Sequence, residues 1–448
     1  MSQEIPEAEP GNRGLKTAVA IVSSLAVLAL TAVSVLAVQR HGDQGDSAGG
    51  ASATEGSMVS LTQSDLSKLV EDRTSALQDK EEGDFLAAFT GEAKSQQRRL
   101  FRNLLKVPME TATFRTVQST GRLESSFSGG AKAQLDIVFV HQISGVDVTP
   151  VEEPYRWTVE KKSAKAKPVV TRVTGKPGMK DLGTDPDTTI AYPAPWDLYP
   201  DLAVHRTGHV VLMTDASHRD QARAGAAQLE AAASRVLGAW RKNGPGDKPV
   251  SPGFAITVEP GGRRYSTLYG RGGQAKKEDG VTASMMTGQL NGAPYGGARI
   301  VMKSPSGRVG EHEMAHALMM PVTGKADVSG LGGTQNWVVE GFAEYLASRG
   351  ADDRGGQSAL RRAGFSGRLP DQAGFYAEDP VRAAANYELA RLALTYMADR
   401  YGKEKTFAFV AAQYTAPHAL DQHLLDATGK DERAFEAEWA DYVRSTVK

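Results

Sequence analysis

The chain of 448 residues contains no cysteine. Disulfides, thiolate metal sites, cysteine nucleophiles and a lipid-modified N-terminal cysteine are therefore all excluded. Neither sign of charge is in surplus, since 52 Lys and Arg face 53 Asp and Glu. Bulk charge thus gives no handle for nucleic acid or a polyanionic substrate, and no nucleic-acid partner is expected. Histidine is also scarce, with nine residues, so the spacing of those nine carries information. Length and ordinary apolar content allow two or three domains, each with its own core.

Two of the histidines lie in Glu311-His312-Glu313-Met314-Ala315-His316-Ala317. Positions four apart share one face of a helix, so His312 and His316 can offer two imidazoles to one ion. Glu313 follows the first imidazole and can reach water at that ion. Ser304-Pro305 supplies a cap and a first-turn proline, and Pro321 and Gly324 end the run. A chance match to this order is expected on the order of 0.01 times per chain of this kind. Two histidines leave a zinc site one protein ligand short. The stretch Trp337-Val338-Val339-Glu340-Gly341-Phe342-Ala343-Glu344-Tyr345 follows. Glu340 is the candidate third ligand, and Glu344, one turn later, can accept the outer N–H of a ligand histidine.

These two segments together resemble the gluzincin metallopeptidases. The nearest form is the peptidase MA-like group, and the thermolysin and membrane-alanyl-aminopeptidase types are more distant. The resemblance implies one zinc per chain on His312, His316 and Glu340, with Glu313 as general base toward a zinc-activated water. It also implies that the strand ahead of the metal helix, Ala298 to Lys303, is a sheet edge that binds substrate as an added strand. The sequence departs from the aminopeptidases in two ways: the spacer is glycine-rich (Gly324, Gly330, Gly332, Gly333), and no Gly-x-Met-Glu-Asn signature is present.

From the N-terminus, residues 1–16 are polar, and Thr17 to Val38 run without charge, glycine or proline. A helix of that length spans about 33 Å, enough for a bilayer core. The reading is a single uncleaved anchor, with 1–16 cytoplasmic and the rest outside. A cleavable signal ending near Val35-Leu36-Ala37 is the alternative. Residues 39–59 are a flexible Gly/Ser/Ala-rich tether. Residues 60–180 form an α+β accessory domain. Its helices are expected within Leu61 to Phe89 and Ser95 to Val107, and its strands at Thr111 to Val117, Ala131 to Ile143, Tyr155 to Glu160 and Pro168 to Val173. This order is similar to the cystatin-like and nuclear-transport-factor-like superfamily. The basic run Lys161 to Lys180 reads either as a contact for anions or as a solvated hairpin.

Residues 181–196 read as a linker, and 197–448 as the metallopeptidase domain, whose C-terminal half is helical. Strands are expected at His209 to Thr214, Phe254 to Val258, Val281 to Met285 and Ala298 to Lys303. A long helix is expected at Arg219 to Lys242. Gly261 to Gly297 is either a mobile cleft wall or a passive loop, and Leu369-Pro370 is placed across the cleft. Ala383 to Tyr401 reads as a helix. On it Tyr387 is a candidate oxyanion donor or else a core tyrosine, with His423 as its rival. His205 and His209 read as structural. The sequence therefore predicts an α+β, membrane-anchored, extracytoplasmic zinc peptidase acting on peptides or proteins. A non-catalytic metal-containing receptor module is the alternative, and oligomeric state is not read from the sequence.

Overall fold

The computed structural model is α+β and describes residues 59–117, 122–124, 130–178, 189, 191–270, 278–288, 293–323, 333–348 and 354–447. The expected tail, membrane span and most of the tether (1–58), and most of the expected linker (181–188 and 190), lie outside the described residues. Among the described residues no helix is long and apolar enough to cross a membrane.

Three helices open the described chain: α1 (Gln63–Gln78), α2 (Glu82–Phe85) and α3 (Gly91–Leu104). Thr62 caps α1 by accepting from Asp65 N, while the Asp65 carboxylate accepts from Thr62 N. Five strands follow: β1 (Met109–Thr116), β2 (Arg122–Glu124), β3 (Ala131–Ile143), β4 (Val151–Lys161) and β5 (Val169–Gly175). They form an antiparallel sheet in the order β1-β3-β4-β5, with β2 also on β3. The short β2 was not anticipated, because three residues carry too little alternation to register. The helices cover one face of this sheet. There the buried Arg73 guanidinium lies 3.6 Å from the Phe85 ring centroid and 4.5 Å from that of Phe114. Two of the basic residues in the Lys161 to Lys180 run are paired internally, Lys161 with Asp65 at 2.8 Å and Lys176 with Asp136 at 3.6 Å.

A short helix, α4 (Pro195–Leu198), leads into the second sheet: β6 (Leu202–Arg206), β7 (Val210–Asp215), helix α5 (Arg219–Asn243), β8 (Phe254–Val258), β9 (Gly280–Met286) and β10 (Tyr295–Met302). The order is β6-β7-β8-β10-β9. β7, β8 and β10 are parallel, and β6 and β9 flank them antiparallel. The strand before the metal helix is thus interior and not the sheet edge that the resemblance implied. β9 takes the edge instead, because the chain lays the preceding hairpin arm outside β10. Every residue of β8 and β10 is buried, as expected where both faces of a strand are covered. The helices α6 (Gly307–Met319), α7 (Asn336–Ser348), α8 (Arg354–Ala363), α9 (Pro380–Tyr401), α10 (Lys403–Thr415), α11 (Leu420–Thr428) and α12 (Glu432–Thr446) complete the chain.

Alternation along the second sheet sends its side chains into two cores. Leu212, Ile256, Ile300 and Met302 pack with α5, α6 and the later helices. Val211, Met213, Ala255, Ala283 and Val301 face the other way and share a core with Ile143, Val151 and Trp157 of the first sheet. A bulge between Tyr295 and Gly297 interrupts the β9–β10 register, and there Gly296 O accepts from Val148 N at 2.9 Å. Beside it Arg299, fully buried, donates to both carboxylate oxygens of Asp147 (2.6 and 2.8 Å) and to His141 Nε2 (3.2 Å). A β-carbon at Gly297 would lie 2.2 Å from Asp147 Oδ1, so this junction requires glycine. Within Gly261 to Gly297, Tyr265, Leu268 and Tyr269 are buried in the shared core. That part of the segment is packed structure.

Candidate metal centre

The metal helix α6 begins two residues later than the sequence suggested. Ser306 is its cap, its hydroxyl accepting from Val309 N, while Pro305 packs over α5. A β-carbon at Gly225 of α5 would lie 2.2 Å from Pro305 Cβ, and one at Gly310 would lie 2.9 Å from Leu229 Cδ2. Glycines on both helices thus permit a close α5–α6 crossing. After Met319 the backbone tightens into a 3-10 turn, Met320–Thr323, that contains Pro321.

α6 places His312 and His316 on one face, with their Nε2 atoms 3.1 Å apart. α7 brings Glu340 opposite them, with Oε2 3.3 Å from His312 Nε2 and 3.4 Å from His316 Nε2. Three ligands of a tetrahedral zinc ion, each at about 2.0–2.1 Å, would be spaced about 3.3 Å from one another. The observed triangle has those dimensions. Glu340 Oε2 is buried and has no hydrogen-bond partner among the described residues, which is the arrangement of an atom reserved for an ion. Two imidazoles and a carboxylate form the donor set of an open zinc site. Among the described residues, His312, His316 and Glu340 are the group placed to hold a metal.

Glu344, one turn after Glu340, has Oε1 3.0 Å from His312 Nδ1, and its Oε2 accepts from Arg308 at 3.1 Å. Burial disfavours charge on His312, but Glu340 and then Glu344 outweigh it and raise the imidazole well above its usual range. Burial likewise opposes charge on Glu340, and the two histidines overcome it, holding the carboxyl far below the usual carboxylate range.

Glu313 is buried on the side of α6 that faces β9. Thr282 Oγ1 lies 2.8 Å from Glu313 Oε2 and 3.0 Å from its main-chain oxygen. The sheet edge comes very close here: a β-carbon at Gly280 would lie 2.6 Å from Val309 Cγ1 and 2.8 Å from Glu313 Cγ.

Tyr387 on α9 has its ring centroid 6.2 Å from that of His312. Burial first, then the charges of Glu340 and Glu313, push its phenol up, so it stays a proton donor through the neutral range. His423, its rival in the sequence, is occupied elsewhere, 2.7 Å from Gln413 Nε2. His209 pairs with Glu230 at 2.6 Å, on β7's approach rather than in this site. Leu369 is tied to α12, its N–H donating to Glu436 at 2.8 Å. Among the described loop residues Tyr376 reaches the site, its hydroxyl donating to Glu340 Oε1 at 2.6 Å. Sequence reading missed Tyr376 and Thr282. One sits in a loop without periodicity, and the other is an ordinary polar position on a strand.

No protein-family model and no curated protein matches the chain. Among solved structures, an M1 zinc metallopeptidase from Deinococcus radiodurans aligns at 14% identity over 69% of this chain and 89% of its own, with a TM-score of 0.32. A substituted form of that enzyme, bound to a Tyr-Ser-Ala substrate, aligns at 15% identity over 69% and 90%, also at 0.32. A likeness this weak carries no functional argument.

Proposed function

We propose that the chain is a zinc-dependent peptidase, anchored by residues 17–38 in the cell membrane with its catalytic region outside the cytoplasm. The observation that carries this reading is the triangle of His312, His316 and Glu340, with a buried carboxylate, Glu313, next in sequence to one of its corners. In this reading residues 197–448 carry catalysis and 60–180 support them.

His312, His316 and Glu340 would hold one zinc ion, and Glu344 would fix the His312 ring through Nδ1. When bound, zinc supplies Lewis acidity that polarises a peptide carbonyl and lowers the pKa of water. Glu313 takes the proton from the attacking water and delivers it to the leaving amine. Thr282 holds that carboxylate by one oxygen and leaves the other for the proton. Tyr387 donates to the oxyanion, a task for which a phenol held protonated is suited. The outer edge of β9, paired on one side only among the described residues, offers main-chain donors and acceptors to an extended peptide.

The test is digestion of a peptide library by the full-length protein, with and without chelator. Cleavage that chelation abolishes and zinc restores is the expected result. A zinc-loaded protein that cleaves nothing would overturn the peptidase reading and turn attention to the receptor-module alternative.

A further inference from the structure

Three phenols surround Glu340, and they are not equivalent. Tyr414, on α10, is buried and its hydroxyl has no hydrogen-bond partner among the described residues. Tyr387 makes no hydrogen bond to Glu340 among the described residues; it stands over His312. Of the three, Tyr376 gives its proton to the carboxylate, at 2.6 Å from Oε1. A phenol has a single proton to donate, so Tyr376 is committed to Glu340 and Tyr387 is left free.

The loop that carries Tyr376 is pinned at several points. Asp371 Oδ1 accepts from Ala373 N (2.7 Å) and Gly374 N (3.2 Å), closing a turn. The Asn336 side chain donates to Gln372 O at 3.1 Å, which ties the loop to the start of the Glu340 helix. Asn386 Nδ2 donates to Gly374 O (3.0 Å) and Phe375 O (2.8 Å), which ties it to α9 beside Tyr387. Phe375 is fully buried, its centroid 5.2 Å from that of Tyr387, while Tyr376 next to it is 57% exposed. An exposed aromatic on a loop ordinarily loses rotamer freedom for little return. Here both anchoring helices belong to the site, and the hydroxyl ends on the oxygen that does not face the imidazoles.

We propose that Tyr376 is a positioning residue of the metal centre: its hydroxyl holds Glu340 Oε1, so that Oε2 is the oxygen presented to the ion. The inference rests on the zinc-peptidase reading but is tested apart from turnover. Zinc affinity of the full-length protein is measured by chelator competition for wild type, Tyr376→Phe and Tyr387→Phe. The absorption spectrum of the cobalt-substituted forms is recorded alongside. Tyr376→Phe is expected to bind zinc about tenfold more weakly with an altered cobalt spectrum, while its metal-free melting temperature stays at the wild-type value. Tyr387→Phe is expected to keep both affinity and spectrum. Unchanged affinity and spectrum in Tyr376→Phe would overturn the proposal and leave the peptidase reading standing. So would an affinity loss that comes with a general fall in metal-free melting temperature. A wild-type protein that binds no zinc would overturn both.

Discussion

Glu313 and Glu340 are buried carboxylates on neighbouring helices, and their partners differ. Glu340 faces two imidazoles and a phenol, so every near neighbour favours its charged form. Glu313 has one hydroxyl partner among the described residues, and its other oxygen is the one proposed to take a proton. Glu313→Ala is therefore expected to retain zinc and to lose turnover by about 10²–10⁴-fold; metal analysis beside steady-state kinetics checks both halves, and a fully active variant would remove the mechanism. His316→Ala is expected to lose the metal itself, read as zinc per chain after dialysis. That His312 and His316 share a face was legible in the sequence because i,i+4 spacing on one helix is local geometry, whereas Glu340 meets them only through the packing of α7 against α6. Tyr376 was not legible, because its approach to Glu340 depends on how a turn and two distant asparagine side chains fold a loop back.

At the scale of elements, the site depends on close crossings that only glycine allows. A β-carbon at Gly341, next to Glu340, would lie 2.6 Å from Ala390 O on α9. An exposed helical glycine replaced by alanine normally gains about 1 kcal/mol. Here overpacking is expected to win, so Gly341→Ala should lose roughly 1–3 kcal/mol, seen as a lower denaturation midpoint; a more stable variant would show that the helices can part freely. In the sequence Gly341 reads as one letter of a motif, and the helix crossing supplies its physical reason. The sheet edge marks a different limit. β3 was legible from alternation and β8 was placed to the residue, whereas β6, like β2, was not anticipated. Which strand lies outermost was not legible, because spatial order is set by the connections and not by the pattern of any one strand.

At the scale of the whole molecule, the two sheets meet over charges that are out of water. Removing Arg299 would strand Asp147, a loss of about 3–5 kcal/mol. Asp147→Ala combined with Arg299→Met should recover much of it, and a double variant as unstable as the single ones would refute that account. A second buried group lies near the same junction. Trp196 Nε1 donates to Glu153 at 3.0 Å, and Tyr155 Oη lies 3.2 Å from both Asp197 oxygens. Burial, and then the charge of Asp197, push Glu153 well above the carboxylate range, and burial raises Asp197 to about 6. Folded values above unfolded ones mean that the folded state binds more protons. The pair's contribution is therefore complete below the unfolded values of about 4 and is lost as pH climbs through 6 and beyond. Glu153→Gln cannot ionise, so its melting temperature relative to wild type should rise steadily from pH 5 to pH 8. A difference that does not change with pH would show that the pair holds no proton.

The carbonyl that the β10 bulge turns toward Val148 has a practical corollary for truncation. A chain begun at residue 197 would bring an uncovered apolar sheet face and an unmatched Arg299 into solvent, and on size-exclusion chromatography it should run as aggregate. The shortest fragment expected to remain monodisperse starts upstream of Gln63.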